Sequence, residues 1–161
     1  MFHVSRRRLA PATLTLLLAT LALLVVAAPP CRAQAANDNA KEAPPFREYK
    51  GVRIGMTAEE ARKLLGTPTD KDDRQDFYSF NENETAQVFY DAAKKVYAVS
   101  ITYLSDKGAP AAKSVLGDEA EAKQDGSVYK LIRFPKVGYW VSYTRTSGDA
   151  PMTIIAMQKI Q

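Results

Sequence analysis

Histidine and cysteine are the residues whose placement most directly indicates chemistry, and each occurs once, as His3 and Cys31, within the first 35 of 161 residues. Those 35 residues read as a secretory signal: basic Arg6, Arg7 and Arg8, an apolar run from Leu14 to Ala28, and a small-x-small cleavage site at Ala33-Gln34-Ala35. Cleavage after Ala35 removes both residues. What remains cannot build a Ser-His-Asp or Cys-His centre, a thiol redox pair or an ordinary structural zinc site. Carboxylate pairs, Ser-Lys pairs and tyrosine are the catalytic options left. The acidic residues fall mainly in turns, and the densest group, Asp70, Asp72 and Asp73, lacks the glycine turn and distal glutamate of a calcium loop. The expectation is a protein without catalytic residues, metal or cofactor. The alternative is a small envelope enzyme working through carboxylate or Ser/Lys chemistry.

The signal also sets the address and the charge. Its core from Leu14 to Ala28 is shorter than the roughly 20 residues of a spanning helix, so the expected product is periplasmic or secreted, with no stable membrane insertion. Cys31 raises a lipoprotein alternative, but Pro29 and Pro30 occupy positions where a lipobox needs small residues. Four of the 22 Lys and Arg leave with the signal, so 18 basic residues face 18 acidic ones. A balanced chain has no global attraction to nucleic acid or anionic membrane. The 126 residues that remain suit one domain with one core, at 49–161, behind a polar lead-in at 36–48 read as disordered.

The elements follow from local chemistry. In Gly55 to Pro68, Thr57 and Glu60 form a capping box, Met56 and Ala61 can staple, Gly66 suits a left-handed end and Pro68 forbids continuation. The stripe Ala61, Leu64, Leu65 must dock, since so short a helix is unstable alone. Strand-like runs follow at Asp76–Phe80, Thr85–Asp91 and Val96–Leu104. The pattern then recurs: a short helix from Pro110 to Gly117, and strands at Ser127–Phe134, Gly138–Arg145 and Met152–Ile160. Leu65 and Leu116, Gly66 and Gly117, Tyr78 and Tyr129, Phe80 and Leu131, and Phe89 and Trp140 all stand 51 positions apart. The predicted fold class is α+β: two repeats of a short helix plus a three-stranded antiparallel meander, at about 49–104 and 108–161, forming one continuous sheet with helices on one face.

Within this stretch Gly55-Met56-Thr57, Leu65-Gly66 and Pro68, followed by an aromatic strand and the turn at Phe89-Tyr90-Asp91, resemble the SmpA/OmlA (BamE) family of small envelope proteins over about residues 49–104. The tandem layout is similar to the β-lactamase inhibitor protein, whose two such repeats form a concave sheet that grips another protein. The resemblance implies a protein-binding module, an envelope assembly accessory or inhibitor-like protein, whose partner is another envelope or secreted protein. Members of the first family are lipoproteins and the second uses disulfides, so neither family's specific partners carry over.

Alternation along the strands then selects candidate binding residues. A four-residue loop at Asn81–Glu84 places Phe80 opposite Thr85, with Phe77, Val88 and Tyr90 on one face and Tyr78, Phe80 and Phe89 on the other. Closure at Pro135–Gly138 pairs Phe134 with Tyr139, putting Val128, Ile132, Phe134, Tyr139, Val141 and Tyr143 on one face and Tyr129, Leu131, Arg133 and Trp140 on the other. Two short helices cover only one face. The aliphatic set is taken as core, and Tyr78, Phe80, Phe89, Tyr129, Arg133 and Trp140 as an open, partner-binding surface. The reverse assignment, with Tyr97, Val99 and Ile101 joining a buried aromatic face, is the alternative.

Overall fold

The computed structural model describes residues 43–161; the signal (1–35), its cleavage site and the start of the lead-in lie outside the described residues. The order of elements is α1 (Ala58–Leu65), β1 (Asp70–Lys71), β2 (Gln75–Asn81), β3 (Glu84–Tyr90), β4 (Val96–Leu104), α2 (Ala112–Leu116), β5 (Val128–Phe134), β6 (Tyr139–Arg145) and β7 (Met152–Lys159). All seven strands join one antiparallel sheet in the order β1-β2-β3-β4-β7-β6-β5. Two hairpin-built halves therefore meet at β4 and β7, paired from Ala98–Gln158 to Leu104–Met152.

This corrects the predicted fold class. The molecule is a seven-stranded antiparallel sheet with two small helices, of 8 and 5 residues, rather than two helix-plus-three-strand repeats. The matched positions do not play matched roles: Tyr78 is buried in the core whereas Tyr129, 51 positions on, is 55 % exposed on the opposite face. Spacing along the chain does not survive as equivalence in space, because the β2–β3 hairpin has an irregularity that the β5–β6 hairpin lacks.

The helix α1 begins as its letters require. Thr57 Oγ1 accepts from the Glu60 N–H at 3.3 Å and the Glu60 carboxylate accepts from the Thr57 N–H at 2.8 Å. Its docking differs from the expected stripe: Ala58 and Ala61 are buried, Leu65 is packed at the margin, and Leu64 is 50 % exposed against Gly51. The small face docks because the backbone approaches closely, with the Ala58 N–H donating to Lys94 C=O at 2.9 Å and Gly55 N–H to Val96 C=O at 2.7 Å. Gly66 ends the helix at φ 86°, ψ −157°, a region essentially restricted to glycine but not the left-handed helical one expected.

A single core lies on one face of the sheet. It joins Tyr49 and Val52, the two helices through Ala61, Val115 and Leu116, and the strands through side chains such as Val88, Ile101, Phe134, Val141 and Ile155. Fully buried side chains of this size contribute roughly 1.5–3 kcal/mol each. The lead-in, expected to run disordered to residue 48, reaches this core: Pro44 is buried, and Phe46 packs beside it and donates its N–H to Val115 C=O at 3.4 Å.

Candidate functional site

The face opposite the core is built in three rows that run across the strands. The first is Arg133, Trp140, Gln158, Ala98, Phe89 and Gln75; the second Leu131, Ser142, Ala156, Ser100, Gln87, Phe77 and Asp70; the third Tyr129, Thr144, Ile154, Thr102, Thr85 and Ser79. Large rings stand toward the two sides of the sheet, and small or amide side chains line the middle. Phe89 meets Tyr97 at 6.2 Å between ring centroids, and Trp140 lies directly across from Arg133. With strands about 4.8 Å apart, Trp140 and Phe89 are separated by roughly 14 Å, three strand spacings. The only charges in these rows are Asp70 at one sheet edge and Arg133 at the other. No element among the described residues belongs to a core on this side, since both helices and the Tyr49–Val52 turn pack on the other.

Four of the six sequence candidates, Phe89, Tyr129, Arg133 and Trp140, share this face. Tyr78 and Phe80 do not. Tyr78 is 2 % exposed in the core, and Phe80 is partly buried, stacking on Tyr78 at 5.8 Å and meeting Tyr49 edge-on at 5.9 Å. The physical reason is register. Ser79, not Phe80, pairs with Thr85, and the hairpin then closes through Asn81 and Glu84 after an irregularity between Ser79 and Asn81. A one-residue slip exchanges the faces of an entire strand, so Phe77 takes the open position expected of Tyr78. Beyond Phe77, sequence reasoning missed Ile154 and the exposed Leu104 at the rim, and it set Tyr97 with the aromatic face without making it a candidate. The irregularity between Phe89 and Tyr90 likewise sends Val99 and Ile101 to the core while Tyr97 stays with Phe89.

A second polar constellation lies beneath the core face. Asp76 is fully buried and receives Arg62 through two bonds, Nε to Oδ2 at 2.7 Å and Nη2 to Oδ1 at 3.0 Å, along with the Tyr90 hydroxyl at 2.7 Å and that of Tyr78 at 3.4 Å. Burial pushes the Asp76 carboxyl up, but the Arg62 and Tyr90 bonds outweigh it and hold the group below the ordinary carboxylate range. Burial and the adjacent carboxylate push Tyr78 up to about 12 and Tyr90 higher still. The cluster ties α1 to β2 and β3, and every oxygen of Asp76 is occupied. Next to it lies a cleft of about 570 Å³ lined by Glu59, Arg62, Lys71, Asp72, Asp73 and Lys94, among others. Several of its charges are engaged internally: Lys94 Nζ bonds the Asp73 carboxylate at 2.9 Å, and Asp72 Oδ1 accepts the Gln75 N–H at 2.7 Å, as turn chemistry requires. Among the described residues no group of three or more His, Cys, Asp or Glu is placed to hold a metal ion.

No family model matches the chain, and no curated protein sequence matches it. Among solved structures it is similar to a DUF4309 family protein (YjgB) from Bacillus subtilis, at 14 % identity and a TM-score of 0.41, over 68 % of this chain and 83 % of that one.

Proposed function

We propose that the chain is a secreted or periplasmic, non-catalytic protein-binding module, an accessory or inhibitor-like protein of the cell envelope, and that the open sheet face grips its partner. One observation carries the reading: a face of seven strands bearing Phe77, Phe89, Tyr97, Tyr129 and Trp140, charged only at its two edges and left outside the core. Aromatic side chains bury a large area, and Trp, Tyr and Arg are the residues that dominate interface energetics. The signal-like N-terminus and the Gly55–Pro68 likeness to SmpA/OmlA proteins support the address. Among the described residues the one fully buried carboxylate, Asp76, is committed to Arg62 and Tyr90, which favours binding over an enzyme.

The test is photo-cross-linking in the native envelope from position 140 and, as a control, from the exposed Lys63 on α1. A specific protein captured from 140 and not from 63 is expected. Trp140→Ala should weaken binding by about 2 kcal/mol while changing folding stability by roughly 1 kcal/mol or less. Capture of nothing, or a hydrolytic turnover abolished by changing one carboxylate, would sink the reading.

A further inference from the structure

We infer that the partner protein is held by an extended acidic segment, with two carboxylates four residues apart and an apolar side chain midway, lying in a groove across one end of the strands. The inference rests on the protein-binding reading above and names the chemistry of what is bound. Two clefts, of about 620 and 390 Å³, form the groove, and they adjoin because Asp91 and Tyr97 line both. It runs from Arg74 and Gln75 past Phe89 and Tyr97 to Lys159 and Ile160. The partly buried rings of Phe89 and Tyr97, 6.2 Å apart, make its middle. The groove therefore continues the open face to the strand ends. Its charges select the occupant. Lys94 is committed to Asp73, bonding the carboxylate at 2.9 Å and the C=O at 2.7 Å. Arg74 and Lys159 are exposed, and among the described residues neither side chain makes a hydrogen bond or an ion pair. The Asp91 carboxylate turns into its own hairpin, where Oδ1 accepts from the N–H groups of Ala93 and Lys95 at 2.9 Å each.

A cation thus stands at either end of the groove, and an engaged carboxylate midway disfavours a third acid there. Strand register sets the spacing. Gln75, Phe89, Ala98 and Gln158 lie in one row across β2, β3, β4 and β7, and Arg74 and Lys159 each stand one residue beyond its ends. Three strand spacings put the two cations roughly 14 Å apart. An extended chain advances about 3.4 Å per residue and turns alternate side chains to the same side. Residues i and i+4 of the segment then reach Arg74 and Lys159, while residue i+2 stands on the two rings. The motif is acidic-x-apolar-x-acidic. Its carboxylates form charge-assisted bonds to both cations, and its central side chain covers Phe89 and Tyr97.

The probe is a blocked peptide, Gly-Asp-Thr-Leu-Thr-Asp-Gly, titrated into the full chain and followed by amide NMR. Shifts centred on Gln75, Phe89, Tyr97 and Ile160, with a Kd of about 1 mM or tighter, are expected. Changing both aspartates of the peptide to asparagine should weaken binding about tenfold or more. The paired reversal Arg74→Glu with Lys159→Glu should do the same, and Lys63→Glu on α1 should not. All three side chains are exposed, and those of Arg74 and Lys159 carry no bond that folding needs. No shifts at about 5 mM peptide, equal binding of the asparagine peptide, or binding unmoved by the paired reversal overturns the inference. So does a groove that takes polygalacturonate, an acidic polysaccharide, and not the peptide. If the peptide fails while a protein is still captured from position 140, this inference falls and the open-face reading stands. Capture of nothing from position 140 sinks that reading, and the inference with it.

Discussion

Arg62 and Asp76 show how much one residue pair can carry. Removing the partly exposed Arg62 leaves the fully buried Asp76 carboxylate with only tyrosine hydroxyls, a loss of up to about 3–5 kcal/mol, so Arg62→Ala should lower stability by that order at neutral pH. The sign of its pH dependence follows from the depressed carboxyl of Asp76. In the native protein the contribution is present above the unfolded value near 3.9 and is lost as pH falls through the lower folded value. In Arg62→Ala the unpaired carboxyl is better protonated, so the gap from wild type should narrow as pH falls. Urea melts across about pH 2 to 7 measure this, and a gap independent of pH would contradict the pairing. The same residue scale explains one of the candidate site's two failures, since Tyr78 bonds this cluster rather than facing solvent.

At the scale of elements, the helices hold the sheet by different means. α1 is fastened by its cap, its Arg62 and its alanine face, and α2 by Val115 and Leu116, which are fully buried. Leu116→Ala should therefore cost about 2–5 kcal/mol, Thr57→Ala about 1 kcal/mol, and Leu64→Ala no more than about 0.5 kcal/mol. Denaturant melts of the three variants check the order, and a costly Leu64 would mean the helix docks by its leucines after all. The turn after β4 adds a further tie. Asp106, at φ 53°, accepts from Arg145 and from the buried Thr153 hydroxyl at 2.6 Å, fastening that turn to β6 and β7. Asparagine and aspartate tolerate this backbone region better than most residues.

For the whole described domain, the seam between β4 and β7 makes one ladder and one core out of both halves. Unfolding should then be a single transition. Far-UV circular dichroism, reporting all strands, and fluorescence of Trp140, the only tryptophan, should give coincident curves. Ile155→Ala, at the seam opposite Ile101, should lower both together by about 2–5 kcal/mol. Two separated transitions would mean that the halves are independent units.

By itself the sequence determined what is local. The Thr57–Glu60 cap is legible because its partners are three residues apart, and the faces of β5 and β6 are legible because Pro135 to Gly138 fix one closure, Phe134 on Tyr139. Four of six site residues followed from that closure and from the correct side for Phe89. Tertiary structure decided the rest. Tyr78 and Phe80 were not assignable from alternation because both faces of β2 are apolar, so pattern alone does not fix register, and the irregularity before Asn81 does. The β4–β7 pairing joins strands about fifty residues apart, and no local preference encodes it. Asp76 reads as an ordinary polar letter at a strand start, and only packing, which brings Arg62 from the helix and Tyr90 from the neighbouring strand, makes a buried carboxylate tolerable there.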